Sequence, residues 1–282
     1  MKGKCKGNWL MVTDLDGTLL NREAKISSRS REILGGLIEK GAMISIATAR
    51  TCATVLPLLD GLRLPLPAVI MNGTALYDFS TREFMECKMV SYPLAMEILS
   101  VFRAAHCNCF THVIHSGELD IYYDGLYHPA EEEFYHDRKD LPMKHYRQAD
   151  LPAGQEVIYF SAMNQKETIL QIHSKILSLP CAKKINASCY ADVYHPGYYF
   201  LEIYDCGASK RNGVRSLQKR CPGLSVAVFG DNYNDLSMME IADRSFAVKN
   251  AAEEVKFKAD AVIESNQNDA VALEMEKLFY GG

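Results

Sequence analysis

The stretch LMVTDLDGTLL, residues 10–20, constrains the fold of this chain more than any other. Residues 9–13 read as a buried strand, because an apolar run ends where carboxylates begin. Asp14 and Asp16 are separated by one residue, so in an extended chain both side chains leave the same side. Gly17 allows a backbone turn that a larger residue would resist. Two like charges held this close repel, so a fold that keeps both at a strand end neutralises them with a cation or a proton. An ordinary Asp-Gly turn after a strand has the same signature, and the rest of the chain has to decide.

A helix is predicted over about 28–40, capped by Ser27 or Ser28, and a buried strand over 42–47 (AMISIA). A second helix over 51–59 contains Pro57, and a third strand follows over 67–71 (PAVIM). Strand and helix in alternation predict a parallel sheet, whose ligands bind beyond the carboxyl ends of the strands. The polar residues Thr48, Arg50, Asn72 and Gly73 fall at that edge, beside the two aspartates.

The character then changes. Hairpins are predicted over 74–77 with 83–88 and over 109–115 with 119–123. Strands over 157–163 and 188–193 mix with helices over 93–105, 130–136 and 166–177, around a loop-rich aromatic stretch at 124–153. The parallel pattern resumes with strands at 198–204 (YYFLEIY), 225–229 (SVAVF), 245–248 and 261–263. The expected division is a core domain of 1–82 and 192–282 around an inserted α+β domain of 83–191.

Two more features fall at the same edge. Asp231 ends the strand SVAVF, and Asp235 lies in the first turn of a helix expected over 234–241, where negative charge is favoured. Lys210 opens the preceding helix, where positive charge is disfavoured, so an anion close by is expected. A turn with an N-cap and a solvated lysine are the plainer readings of each alone. Taken together, four carboxylates, a hydroxyl and a lysine suit a hard cation such as Mg²⁺ and a phosphate. One aspartate can attack phosphorus and another can handle protons. No GxxxxGK loop is present.

Composition narrows the partners. A net charge of −4 and a pI near 6.1 give no polyelectrolyte signal for nucleic acid or an acidic membrane. No apolar run approaches a membrane span, and the opening residues do not read as a signal peptide. Nine scattered cysteines fit reduced thiols in a cytoplasm. The segment 106–115 is rich in Cys and His, but His112 and His115 would face opposite sides of a strand and the spacing fits no zinc finger. The tyrosines around 122–135 and 190–199 read mainly as core or half-buried strand positions.

In order along the chain, Asp14-Leu-Asp16-Gly-Thr18-Leu, Thr48, Lys210 and Gly230-Asp231-x-x-Asn234-Asp235 resemble the four motifs of the haloacid dehalogenase (HAD) superfamily. The details are most similar to its Cof-like group with a C2B cap, through Ala47-Thr48-Ala49-Arg50, Asn72-Gly73, Leu201-Glu202-Ile203 and Lys249-Asn250-Ala251. Ala49 and Lys249 stand where many relatives have glycine. The resemblance implies an α/β fold, a Rossmann-like core with a parallel sheet plus an inserted α+β cap that closes over the site. It implies a Mg²⁺-dependent phosphatase of a small phosphorylated metabolite, acting through an aspartyl-phosphate. In that scheme Asp14 is the nucleophile and Asp16 the acid and base, while Thr48 and Lys210 hold phosphoryl oxygens. Mg²⁺ is held by Asp14, the backbone carbonyl of Asp16 and Asp231, supported by Asn234 and Asp235; Arg50, Asn72 and Gly73 are candidate substrate contacts. Asp16 is lacking in relatives that keep a long-lived aspartyl-phosphate or cleave carbon–halogen bonds, so it favours a phosphatase or a phosphomutase. A sugar-phosphate phosphomutase and a non-catalytic binding module are the alternatives on the same fold. The substrate and the oligomeric state are not written in the sequence.

Overall fold

The computed structural model describes residues 8–192 and 196–281. They divide into two compact units, one from the described residues of Met1–Met85 and Ser209–Gly282, the other from those of Glu86–Ala208. The strands, in chain order, are β1 (Trp9–Thr13), β2 (Met43–Ile46), β3 (Ala68–Ile70), β4 (Ala75–Asp78) and β5 (Glu83–Met85). Then come β6 (Phe110–His115), β7 (Glu118–Tyr123), β8 (Lys144–Gln148), β9 (Tyr159–Gln165), β10 (Ile185–Ala191) and β11 (Tyr198–Asp205). The last three are β12 (Ser225–Gly230), β13 (Arg244–Val248) and β14 (Ala261–Ile263).

The first unit is built on a parallel five-stranded sheet of order β14-β13-β12-β1-β2. Its inner strands are continuous apolar runs, as expected where helices cover both faces. Leu10, Met11 and Val12 of β1 and Val226, Ala227, Val228 and Phe229 of β12 are wholly buried. Register places Thr13 beside Ile46 on one side and Phe229 on the other, so β1 ends at the centre of the carboxyl edge. The helix Ser28–Glu39 starts at Ser27, whose hydroxyl accepts the amide hydrogen of Ser30. It packs against the last helix, Ala270–Tyr280.

The third strand differs from expectation. β3 touches the parallel sheet through one bridge, Ala47 to Val69, and belongs instead to an antiparallel sheet β3-β4-β5. The reason is local: β2 ends at Ile46, leaving β3 little length to pair with. The left-handed residues Met71, Asn72 and Gly73 then fold the chain back on itself (φ 46°, 55° and 89°).

The second unit is a six-stranded sheet of order β10-β11-β9-β6-β7-β8, antiparallel except for the pair β7–β8. The helices Tyr92–Ala104 and Lys166–Leu177 supply Ile98, Phe102, Ile169 and Ile172 to an apolar core shared with Phe160, Leu201 and Ile203 of the sheet. A further helix, Pro129–His136, lies within the stretch read as loop-rich, at the place expected for it.

Two corrections follow from this sheet. The segment 198–204 does not resume the parallel core: as β11 it pairs antiparallel with both β9 and β10. Leu201 and Ile203 alternate inward onto the second unit's apolar core, which fixes its membership. The units therefore part between Ala208 and Ser209, and between Met85 and Glu86, rather than after residues 191 and 82. The strand expected over 188–193 is β10, Ile185–Ala191; its expected end at Val193 lies outside the described residues. The helix expected over 234–241 is a tight turn, Tyr233–Asp235, followed by one helical turn, Leu236–Met239.

Candidate active site

Asp14 leaves β1 in an extended conformation, and its amide donates to the carbonyl of Phe229 at 2.9 Å. Leu15–Leu19 then make one wide turn, closed by Leu20 N–H to the carbonyl of Leu15 at 2.8 Å. Gly17 sits in it at φ 78°. A Cβ on Gly17 would lie 2.4 Å from Oδ2 of Asp231, so only glycine lets that carboxylate approach. Next along the turn, the Thr18 hydroxyl donates to Oδ1 of Asp231 at 2.8 Å.

The two leading aspartates take different partners. Lys210 Nζ donates to Oδ1 of Asp14 at 2.5 Å and to Oδ1 of Asp235 at 2.6 Å. Arg50 grips Asp16 with both prongs, Nε to Oδ2 at 2.7 Å and Nη2 to Oδ1 at 2.6 Å. Such two-pronged pairing fixes the plane of a carboxylate as well as its position. The anions expected near Lys210 are thus Asp14 and Asp235. Ser209 caps that lysine's helix by accepting the amide hydrogen of Asn212 at 3.1 Å.

Asp235 is fully buried and committed on both oxygens. Beyond Lys210, its Oδ2 accepts the amide hydrogens of Asp231 at 2.9 Å and Asn232 at 3.0 Å. Asn72 is buried at the same edge and accepts from Nδ2 of Asn234 at 3.2 Å. Its loop is fixed by backbone hydrogen bonds, the Met71 N–H donating to the carbonyl of Arg50 and the Asn72 N–H to that of Thr48, each 3.0 Å. Gly73 lies so close to the start of the Lys210 helix that a Cβ would fall 2.1 Å from the Ser209 carbonyl oxygen. Thr48 is buried, and its hydroxyl oxygen accepts the Arg50 amide hydrogen at 3.1 Å, which leaves its own O–H to donate elsewhere. No hydrogen bond joins Thr48 or Gly73 to the aspartates among the described residues.

Burial raises the Asp14 carboxyl well above the usual carboxylate range, and the charges of Asp235 and Asp231 push the same way against Lys210. Burial, then Asp235, raises Asp231 to about 6. For Lys210 burial favours the neutral amine, but the attraction of Asp14 and Asp235 outweighs it, and its pKa is raised. Fully ionised, the four carboxylates face two cations, Lys210 and Arg50, and two negative charges are left over. Oxygen atoms of Asp14, Asp231 and Asp235 lie within 4.8 Å of one another. An all-oxygen donor set with that residual charge fits a hard divalent cation. The carboxylate of Asp16 is spent on Arg50, which leaves its backbone carbonyl as the group it could offer a metal.

Three contacts in this site carry no local signature. Arg50 reaches Asp16 across 34 positions, Thr18 reaches Asp231 across 213, and Asn250 donates to the Gly17 carbonyl across 233. Asn250 belongs to the segment Lys249-Asn250-Ala251 that carries the family resemblance, but its contact with Gly17 is not written there. The Cys/His-rich segment lies in the second unit: Cys107, Cys109 and His112 are buried there, and His112 Nε2 is 3.1 Å from the Ser161 hydroxyl.

A parallel α/β sheet that gathers aspartates and a buried lysine at its carboxyl edge, with an α+β unit inserted in the chain, defines a HAD-type hydrolase. The chain belongs to the haloacid dehalogenase-like hydrolase family, whose model matches residues 11–275, and within it to the Cof-like phosphatases. It is 26% identical to the pyridoxal phosphate phosphatase YbhA of Escherichia coli, over 93% of this chain and 96% of that protein. It is 25% identical to the 5-amino-6-(5-phospho-D-ribitylamino)uracil phosphatase YwtE of Bacillus subtilis, over 96% and 98%. A haloacid dehalogenase-like hydrolase from Bacteroides thetaiotaomicron has a similar structure, with a TM-score of 0.78 and 26% identity over 95% of this chain and 98% of that one.

Proposed function

We propose that this phosphatase is Mg²⁺-dependent and hydrolyses a small phosphorylated metabolite, a sugar phosphate or similar phosphomonoester, through an aspartyl-phosphate on Asp14. The observation that carries this is the separate pairing of two aspartates two residues apart: Asp14 with Lys210, Asp16 with Arg50. Separate partners allow separate roles.

Asp16 enters the first step protonated on an oxygen that Arg50 has released. Asp14 uses a carboxylate oxygen to attack phosphorus, and the bond to the leaving oxygen breaks as that oxygen takes the proton from Asp16. Asp16, now ionised, takes a proton from water, and that water attacks the phosphorus of the aspartyl-phosphate. Inorganic phosphate leaves and Asp14 is restored. Lys210 and Thr48 hold phosphoryl oxygens, with Asn72 and Gly73 beside them as substrate contacts. Arg50 aims the Asp16 carboxylate and remains, with Asn72 and Gly73, a candidate substrate contact. Mg²⁺ would be held by Asp14, Asp231 and the Asp16 carbonyl, supported by Asp235 and Asn234, and would supply positive charge to offset the approach of one anion to another.

Relatives named for pyridoxal phosphate and for a phosphoribityl-aminouracil support the small-metabolite class. A cytoplasmic site of action belongs to the same proposal; the eight described cysteines are all free, and no described helix is long and apolar enough to cross a membrane. The test is phosphate release from a panel of phosphomonoesters with and without Mg²⁺, on wild type and Asp14→Asn. We expect metal-dependent release that the substitution lowers by about a thousandfold or more. Undiminished release from highly purified Asp14→Asn contradicts the nucleophile, and isomerisation of a sugar phosphate without release favours a mutase.

A further inference from the structure

Two asparagines remote in sequence hold the carbonyls of the catalytic turn. Within Leu15–Leu19, Gly17 has a positive φ and no Cβ, so the peptide that follows it is the softest joint of the turn. The carbonyl of Gly17 accepts from Nδ2 of Asn250 at 2.7 Å, and the carbonyl of Leu20 accepts from Nδ2 of Asn266, also at 2.7 Å. The two asparagines are tied together, since Oδ1 of Asn250 accepts the amide hydrogen of Asn266 at 3.1 Å. Asn250 follows β13 and Asn266 follows β14, so the brace fastens the turn to two strands of the core sheet. On other faces of the turn, Thr18 is fastened to Asp231 and Asp16 to Arg50.

We propose that Asn250, backed by Asn266, is a positioning residue for Asp16. It fixes the peptide between Gly17 and Thr18, and thereby aims the Asp16 carboxyl at the leaving oxygen. The proposal rests on Asp16 being the general acid. Asn250 touches no reacting group; it acts only on a backbone carbonyl. Without it, the peptide after Gly17 is free to rotate, because glycine tolerates either sign of φ. A displacement of the order of 1 Å in a catalytic group lowers rates by about a hundredfold. Asn250 is exposed, and its side-chain hydrogen bonds, to the Gly17 carbonyl and from Ser265 and Asn266, lie at the surface, so losing them leaves the fold intact.

A displaced acid matters most when the leaving group is poor. A 4-nitrophenolate departs without a proton, whereas a sugar alkoxide needs one. The experiment compares kcat/KM of wild type and Asn250→Ala, with Mg²⁺, on two esters. One is 4-nitrophenyl phosphate. The other is whichever of glucose 6-phosphate, ribose 5-phosphate and glycerol 3-phosphate the wild type hydrolyses fastest. We expect the alkyl ester to lose about tenfold or more and the aryl ester less than about threefold, with an unchanged melting midpoint. Asn250→Asp keeps the shape but donates nothing, and should behave like Asn250→Ala; Asn266→Ala should show the same selectivity more weakly. Equal losses on the two esters, or no loss on either, overturn the proposal while the phosphatase assignment stands. A wild type that releases phosphate from neither kind of ester removes both.

Discussion

Lys210 is 1% exposed, and its charge stands between two buried carboxylates. Burying an ammonium is costly, and what offsets it here is two short charge-assisted bonds. Removing one partner from such a cluster leaves the others uncompensated, at a cost of about 3–5 kcal/mol. Lys210→Met is therefore expected to lower the urea midpoint of the metal-free protein at neutral pH well beyond the effect of an exposed Lys→Met. An unchanged midpoint would mean that Asp14 and Asp235 do not depend on it. Lys210 is legible in the sequence because a lysine in the first turn of a helix is anomalous and asks for an anion. Arg50 was legible only by its place at the strand edge. Its hold on Asp16 depends on how the turn after β2 swings a side chain back, which local pattern does not encode.

At the scale of elements, the parallel core is legible because its strands are uniform apolar runs that stop abruptly at polar residues. The segment YYFLEIY was misplaced because its mixed pattern suits either a parallel strand or β11 of an antiparallel sheet, and only its partners decide. β8 was missed because, of its five residues, only Lys144 is buried. One element carries a pH dependence. His112 on β6 is 2% exposed, and burial, aided by the charge of Lys144, holds its pKa well below 6.5. The native state thus keeps it neutral while the unfolded chain protonates it below about pH 6.5. Stability from this group is fully present above that pH and is lost as pH falls below it, by about 1.4 kcal/mol per unit. Denaturant titrations at pH 7.5, 6.5 and 5.5 should show this slope reduced in His112→Gln relative to wild type. Parallel slopes in the two proteins would place the acid sensitivity elsewhere.

For the whole molecule, family and chemistry have different legibility. The motifs of the core define the phosphatase class, and the core brings Asp14, Lys210, Asp231 and Asp235 together, with Arg50 on Asp16. The leaving group is not legible, because it would be chosen by side chains whose types follow no shared motif. The central claim is that phosphate passes through Asp14 and that Asp16 serves the proton steps. Its most direct measurement is mass spectrometry of peptides from Asp16→Asn, acid-quenched seconds after mixing with 4-nitrophenyl phosphate and Mg²⁺. An aryl ester can phosphorylate Asp14 without an acid, but the variant cannot activate water to finish the cycle. The account predicts one phosphoryl group on the peptide carrying Asp14, removed by hydroxylamine. Continued turnover with no phosphorylated peptide, or a phosphoryl group on any other residue, would contradict it.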